Sequence, residues 1–264
     1  MAKNSKIEWC DHTVNLWWGC TKVHAGCDNC YAETLSNRWN NDLWGNDKPR
    51  KEIKSTFTDL AKYEESARKS EKPLLIFVGS MMDIFEKPMP LVDSTGKVIK
   101  GRDTGTLRKS FFAQIDFGRY PNLIFLMLTK RPSNINKYIP ECWKEKPPSN
   151  VMFGTSPSTQ QTANILIPQL LLVKGKKFLS VEPQLSKIDF LEVPTDINRH
   201  WDIDWIIQGG ESGHHKRPFN LDWAYAMQLQ CRSAEIPYFF KQIDKIQPIP
   251  EDLNTREFPE FFKK

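Results

Sequence analysis

The sequence predicts an α/β protein in which six to seven parallel strands form a partial or full (β/α) barrel. Three observations predict it. Short apolar runs alternate with stretches of helical periodicity. Most of these runs are apolar throughout rather than at every second residue, as strands buried on both faces are. The runs end in small or charged residues, and parallel α/β folds build their sites at those ends. A doubly wound open sheet is the competing arrangement of the same elements.

In chain order the strand candidates are "TVNLWWG" (13–19), "LLIFVGS" (74–80), "LIFLMLT" (123–129), "VMFGTS" (151–156), "FLSVEP" (178–183), "WIIQGGE" (205–211) and "IPYFFKQ" (236–242). Helices are expected over 28–39 with Asp28 as N-cap, over 106–117, over 158–173 and over 221–235 with Asn220 as N-cap. Pro168 should shorten or kink the third, because proline removes a backbone donor. No boundary divides the chain, so residues 1–264 read as one domain. Polar stretches near 40–72 and 87–105 read as insertions on a loop face. The basic residues around Lys48 to Lys54 and "KGKK" at 174–177 read as solvated loops.

Composition narrows the function classes. With 39% hydrophobic and 26% charged residues, nine Trp and sixteen Phe, the chain can fill a core and disorder is not expected. A net charge of +5 permits contact with nucleic acid without demanding it. No apolar run reaches the eighteen or so residues a membrane helix needs, so no membrane is expected. The opening residues carry no apolar signal segment, which points to the cytoplasm, where thiols stay reduced. A disulfide scaffold is therefore not expected, and Cys142 and Cys231 read as ordinary buried thiols.

Chemistry concentrates in "WWGCTKVHAGCDNCYAE" at 17–33, where Cys20, Cys27 and Cys30 fall within eleven residues. Thiolates select zinc, copper(I) or iron–sulfur clusters. A structural zinc ion needs four closed ligands, so Cys10 or His24 would have to join the three. A 4Fe–4S cluster held by three cysteines would instead leave one iron open. Tyr31 follows the last cysteine and can pack beside a bound adenine or simply occupy the first helical turn. At the other strand ends stand Ser80 and Asp83, Lys130 and Arg131, Thr155 and Ser156, Glu182, and Glu211. Taken singly these are turn residues; taken together they suit one cavity. His214 and His215, in "HHKRP", could meet phosphates, and Trp39, Trp44, Trp143 and Trp201 could stack on bases.

A three-cysteine loop after the first strand, its last cysteine followed by tyrosine, resembles the radical S-adenosylmethionine enzymes. Their usual spacing is Cys-x3-Cys-x2-Cys; here it is Cys-x6-Cys-x2-Cys. The chain is more similar to a phage- and prophage-associated three-cysteine-motif family, itself similar to spore photoproduct lyase-like radical enzymes. The resemblance runs through "VGSMMDIFE", "LTKRP", "GTSPSTQ", "FLSVEPQL", "GGESGHHKRP" and "PYFFKQ". It implies a 4Fe–4S cluster on Cys20, Cys27 and Cys30 that binds S-adenosyl-L-methionine and, given an electron by an external donor, yields a 5′-deoxyadenosyl radical. It further implies cofactor contacts from Tyr31, Ser80, Asp83, Thr155, Ser156, Glu182 and Glu211. Substrate contacts would come from Lys130, Arg131, His214 and His215. A nucleic acid or nucleotide substrate and a separate three-cysteine-motif partner protein are the partners it suggests. The alternative is a zinc-stabilised nucleic-acid-binding protein without catalysis.

Overall fold

The computed structural model describes residues 5, 7–195, 202–213 and 215–262. Its central sheet has seven strands, all parallel: β1 (His12–Val14), β4 (Leu74–Val78), β7 (Leu123–Thr129), β8 (Val151–Thr155), β9 (Lys176–Val181), β10 (Trp205–Gly209) and β11 (Tyr238–Gln242). They lie side by side in chain order. A doubly wound sheet reverses its order at a switch point, and this one does not. The sheet is a partial (β/α) barrel, left open between β1 and β11.

Each strand sends alternate residues to opposite faces. On β7, Leu123, Phe125 and Met127 join the larger core beneath the helices, while Ile124 and Leu126 face the barrel interior. The interior is floored by aromatic rings from several strands. Trp9, from the segment before β1, lies 4.7 Å from Phe77, 6.5 Å from Phe178 and 6.3 Å from Trp205 between ring centroids. A half-barrel cannot fill its own centre, and this indole plugs it.

The helices that cover the outer face are α2 (Thr56–Ser70), α3 (Thr104–Asp116), α6 (Gln160–Leu171) and α7 (Leu221–Ser233). Two shorter ones, α4 (Ile135–Tyr138) and α5 (Glu141–Glu145), lie between β7 and β8. Helix α7 begins as expected, with Asn220 Oδ1 accepting from the Asp222 amide at 2.9 Å. Helix α6 runs through Pro168 and starts at Thr159, whose hydroxyl exchanges hydrogen bonds with Thr162 in a capping box.

Four expectations are corrected. Helix α1 (Tyr31–Arg38) is capped by Cys30, not Asp28, because the backbone over 25–28 makes a separate 3-10 turn. The run 13–19 is two strands, since Asn15 leaves the sheet to bond Met81 N at 2.7 Å and Ser80 Oγ at 2.8 Å. The stretches 40–72 and 87–105 are ordered: β2 (Trp17–Trp18), β3 (Arg50–Glu52), β5 (Pro90–Val92) and β6 (Val98–Asp103) form a second sheet, and α2 buries Thr56, Leu60, Tyr63 and Ala67 at helical spacing. Cys142 is exposed, whereas Cys231 is buried as expected. No helix among the described residues is long and apolar enough to cross a membrane.

Gly154 stands opposite Phe178 in the β8–β9 register, with no room for a side chain. A Cβ there would sit 2.4 Å from the Phe178 ring. Gly154→Ala is expected to destabilise the fold by ~1–3 kcal/mol, the usual cost of overpacking, read from urea unfolding midpoints at unchanged slope.

Candidate functional site

A cavity of about 300 Å3 opens at the C-terminal ends of the parallel strands, within the range of small-ligand sites. Cys20, Cys27 and Cys30 all line it. So do Tyr31, Ser80, Asp83, Ser156, Glu182 and Glu211, and so do Lys130 and Arg131. Of the residues singled out from the sequence, Thr155 and His215 do not line it, and His214 and Trp201 lie outside the described residues.

The pleat explains Thr155. Two residues after Phe153, it faces the helix side and donates to Thr129 O at 2.8 Å. Its neighbour Ser156 falls on the interior parity. The Ser156 hydroxyl is buried on the cavity wall and has no hydrogen-bond partner among the described residues. His215 is exposed, and its carbonyl accepts from Asn29 Nδ2 at 2.8 Å. Trp143 is buried beside Phe112 and cannot stack on a base; Trp39 is exposed and Trp44 lines the cavity.

The cysteine loop is held from two sides. On the first, Arg50 is wholly buried, contrary to the solvated loop expected for that basic stretch. Its guanidinium meets Glu86 through two bonds, at 2.9 and 2.7 Å, and donates to Thr21 Oγ1 at 2.9 Å. Arg131 donates to Thr21 O at 2.6 Å and to Asp83 Oδ2 at 2.7 Å, with Cys20 Sγ at 4.0 Å. Thr21, next to Cys20, is thus gripped at hydroxyl and carbonyl by two arginines. Gly19, on its other side, adopts φ +115, and a Cβ there would strike Leu43 O at 2.6 Å.

Asp83 takes a different part from the one expected of it. Its carboxylate accepts from Thr129 Oγ1, Phe85 N, Lys130 N and Arg131 Nη1, so little acceptor capacity faces the cavity. Glu211 does the same on the second side. It accepts from Asn29 Nδ2 at 2.9 Å, from Arg217 N at 2.8 Å, and from the Arg217 guanidinium. Arg217 in turn donates to Ala25 O at 2.9 Å. Both carboxylates brace the loop. Asn15, Asn29, Arg50, Glu86 and Arg217 were not singled out from the sequence; the "TKRP" and "HHKRP" arginines carried the available signal.

The remaining wall keeps usable groups. Tyr31 OH donates to Ser80 O at 2.7 Å, which leans the ring across the mouth. Glu182 accepts from Trp9 Nε1 at 3.1 Å and pairs with Lys241 Nζ at 2.6 Å. Lys130 Nζ has no hydrogen bond or ion pair among the described residues.

The three thiols line one cavity, and among the described residues no three His, Cys, Asp or Glu groups gather as a metal site. Cys10 lies in the apolar floor, bonded to Ile7 O at 3.7 Å, and burial pushes its thiol up to about 12. His24 lies off the cavity wall, with Nδ1 accepting from Gly26 N at 3.1 Å and Nε2 buried without a partner among the described residues. Burial, then Lys130, pushes its imidazole down to about 4, so it is neutral. Burial and the nearby Asp83 push the Cys20 thiol up to about 12, against the pull of Arg131. A coordinated metal would reverse that and hold the thiolate outright.

The chain belongs to the family described as a protein of unknown function, DUF5131, whose model matches residues 4–257. No curated protein and no solved structure matches it.

Arg50→Met leaves the buried Glu86 carboxylate only the longer approach of Arg131 at 3.8 Å and should destabilise the chain by ~3–5 kcal/mol in urea unfolding; a loss under 1 kcal/mol would show the pair to be dispensable. The second brace has a pH signature. Burial opposes the Glu211 charge, but the Arg217 and Asn29 hydrogen bonds outweigh it and hold the carboxyl below its ordinary 4.5. A lowered folded value contributes stability above pH 4.5 that is lost as pH falls through the folded value. Glu211→Gln should flatten that part of the acid-unfolding curve while leaving the neutral arm parallel.

Proposed function

We propose that this chain is a radical S-adenosylmethionine enzyme whose 4Fe–4S cluster is held by Cys20, Cys27 and Cys30. The observation that carries the reading is the convergence of the three cysteines on one cavity at the C-terminal ends of a parallel half-barrel, with the unpartnered Ser156 hydroxyl on its wall. When bound and reduced by an external donor, the cluster with S-adenosylmethionine would supply a 5′-deoxyadenosyl radical to a substrate.

The chain's own residues bind, orient and shield. Thr21, fixed by Arg50 and Arg131, sets the path of Cys20. Asn29, fixed by Glu211, sets the turn between Cys27 and Cys30. Ser156 and Ser80 offer hydroxyls to a polar cofactor, and the Glu182–Lys241 pair offers a carboxylate and an ammonium within the same wall. Trp9 and Phe77 close the floor and keep water from below. Lys130 presents a free ammonium to an anionic substrate, and a nucleic acid or nucleotide is the class this reading favours.

Anaerobic reconstitution of the full chain should give a brown protein with about four irons and about four sulfides, an electron paramagnetic resonance signal on reduction, and 5′-deoxyadenosine from S-adenosylmethionine. Cys10→Ala should keep that iron, whereas Cys27→Ala should lose it. A colourless protein with one tightly held zinc that Cys10→Ala releases would replace this reading with the zinc-stabilised one.

A further inference from the structure

The cavity has a neighbour. A groove of about 390 Å3 lies beside it at the last strand, lined by Glu8, Lys241, Gln242, Lys245, Gln247 and Arg256, with Ile249 at its side. Lys241, Gln242 and Lys245 belong to both, so the two spaces adjoin. The edge of β11 explains where the groove opens. The segment 255–257 covers the lower edge through Phe240 N to Thr255 O and Glu257 N to Tyr238 O, and stops short of Lys241 and Gln242.

The charges of the groove are unequal. Glu8 is satisfied by Arg256 at 2.5 Å, and Lys241 is held by Glu182. Lys245 stands in a left-handed turn, φ +69, and is exposed. Its ammonium has no hydrogen bond or ion pair among the described residues. The turn is set by Asp244, which accepts from the Ile246 and Gln247 amides at 2.9 and 2.8 Å. Arg256 lies over the Phe239 ring, 4.7 Å from its centroid, and its Nε, Nη1 and Nη2 bonds leave two N–H groups over. Gln242 lines the same groove; its Oε1 is a buried acceptor with no partner among the described residues, while its Nε2 donates to Gly210 O.

We propose that this groove is a binding site for the phosphate and sugar of a nucleotide or of a single nucleic-acid strand, whose next unit enters the cavity. Lys245 and Arg256 take the phosphate, and a sugar hydroxyl or base amino group donates to Gln242 Oε1. A carboxylate ligand answers the cations and supplies no donor for that oxygen. The proposal deepens the function proposed above, because it names the substrate class of the same cavity.

The test is fluorescence anisotropy of a labelled oligothymidylate on the full chain, without reconstitution, with thymidine 5′-monophosphate and polyglutamate as competitors. Lys245→Glu is expected to weaken the strand about tenfold, and Lys245→Ala to lower the salt slope by about 0.7, one phosphate contact on a single strand. Lys245→Arg should restore binding, and all three should melt like the parent. Effective competition by the mononucleotide identifies a free nucleotide as the ligand; binding of the strand alone identifies a chain. Binding of neither, indifference to Lys245→Glu, or equal competition by polyglutamate overturns the proposal. The readout needs no iron. A chain that takes up its cluster and ignores the strand refutes the groove alone, and one that binds the strand and takes up no iron refutes the cluster alone.

Discussion

A chain of buried charges, Arg50–Glu86–Arg131–Asp83, is the constraint on which the site depends. It links the second sheet, the loop after β4 and the loop after β7, and its two guanidiniums meet on Thr21. An arginine with no exposed surface is tolerated only where its donors are satisfied, and Arg50 finds Glu86, Thr21 and the carbonyls of Leu43, Gly45 and Lys48. The second sheet is thus more than an insertion. It delivers Arg50 to the back of the cysteine loop, which has little regular structure with which to hold itself.

The opposite end of that loop is held by a separate device. Glu211, after β10, gathers Asn29 and Arg217, and Arg217 reaches Ala25. Three thiols on one loop are therefore positioned by carboxylates on opposite sides of the half-barrel. Side chains that must stay within a fraction of an ångström of a working geometry need such support, because a loop alone does not supply it.

The parallel sheet was legible because strands covered on both faces are apolar at every position, and six of the seven runs lie on strands with nearly the expected bounds. The site was legible as a place, since the strand ends carry the polar residues. Individual roles were not. Asp83 and Glu211 look like ligand contacts in sequence, yet each spends its oxygens on the protein, and only their partners' positions reveal it. Thr155 and Ser156 differ by pleat parity, which counting from Phe153 would have exposed. Helix α2 escaped notice because four buried residues in fifteen, among many charges, read as a polar loop. Arg50 escaped because burial of a charge depends on a partner thirty-six residues away.

A closed eight-stranded barrel rims its mouth on every side, so a long molecule would have to be threaded or released end-first. Here the rim is interrupted, because β1 and β11 do not meet and the C-terminal segment seals only the lower part of that edge. A polymer many times longer than the cavity can lie across such a gap, dip one unit inward and lift away sideways. Neither the cysteine loop nor its two braces would then have to part to admit or release it.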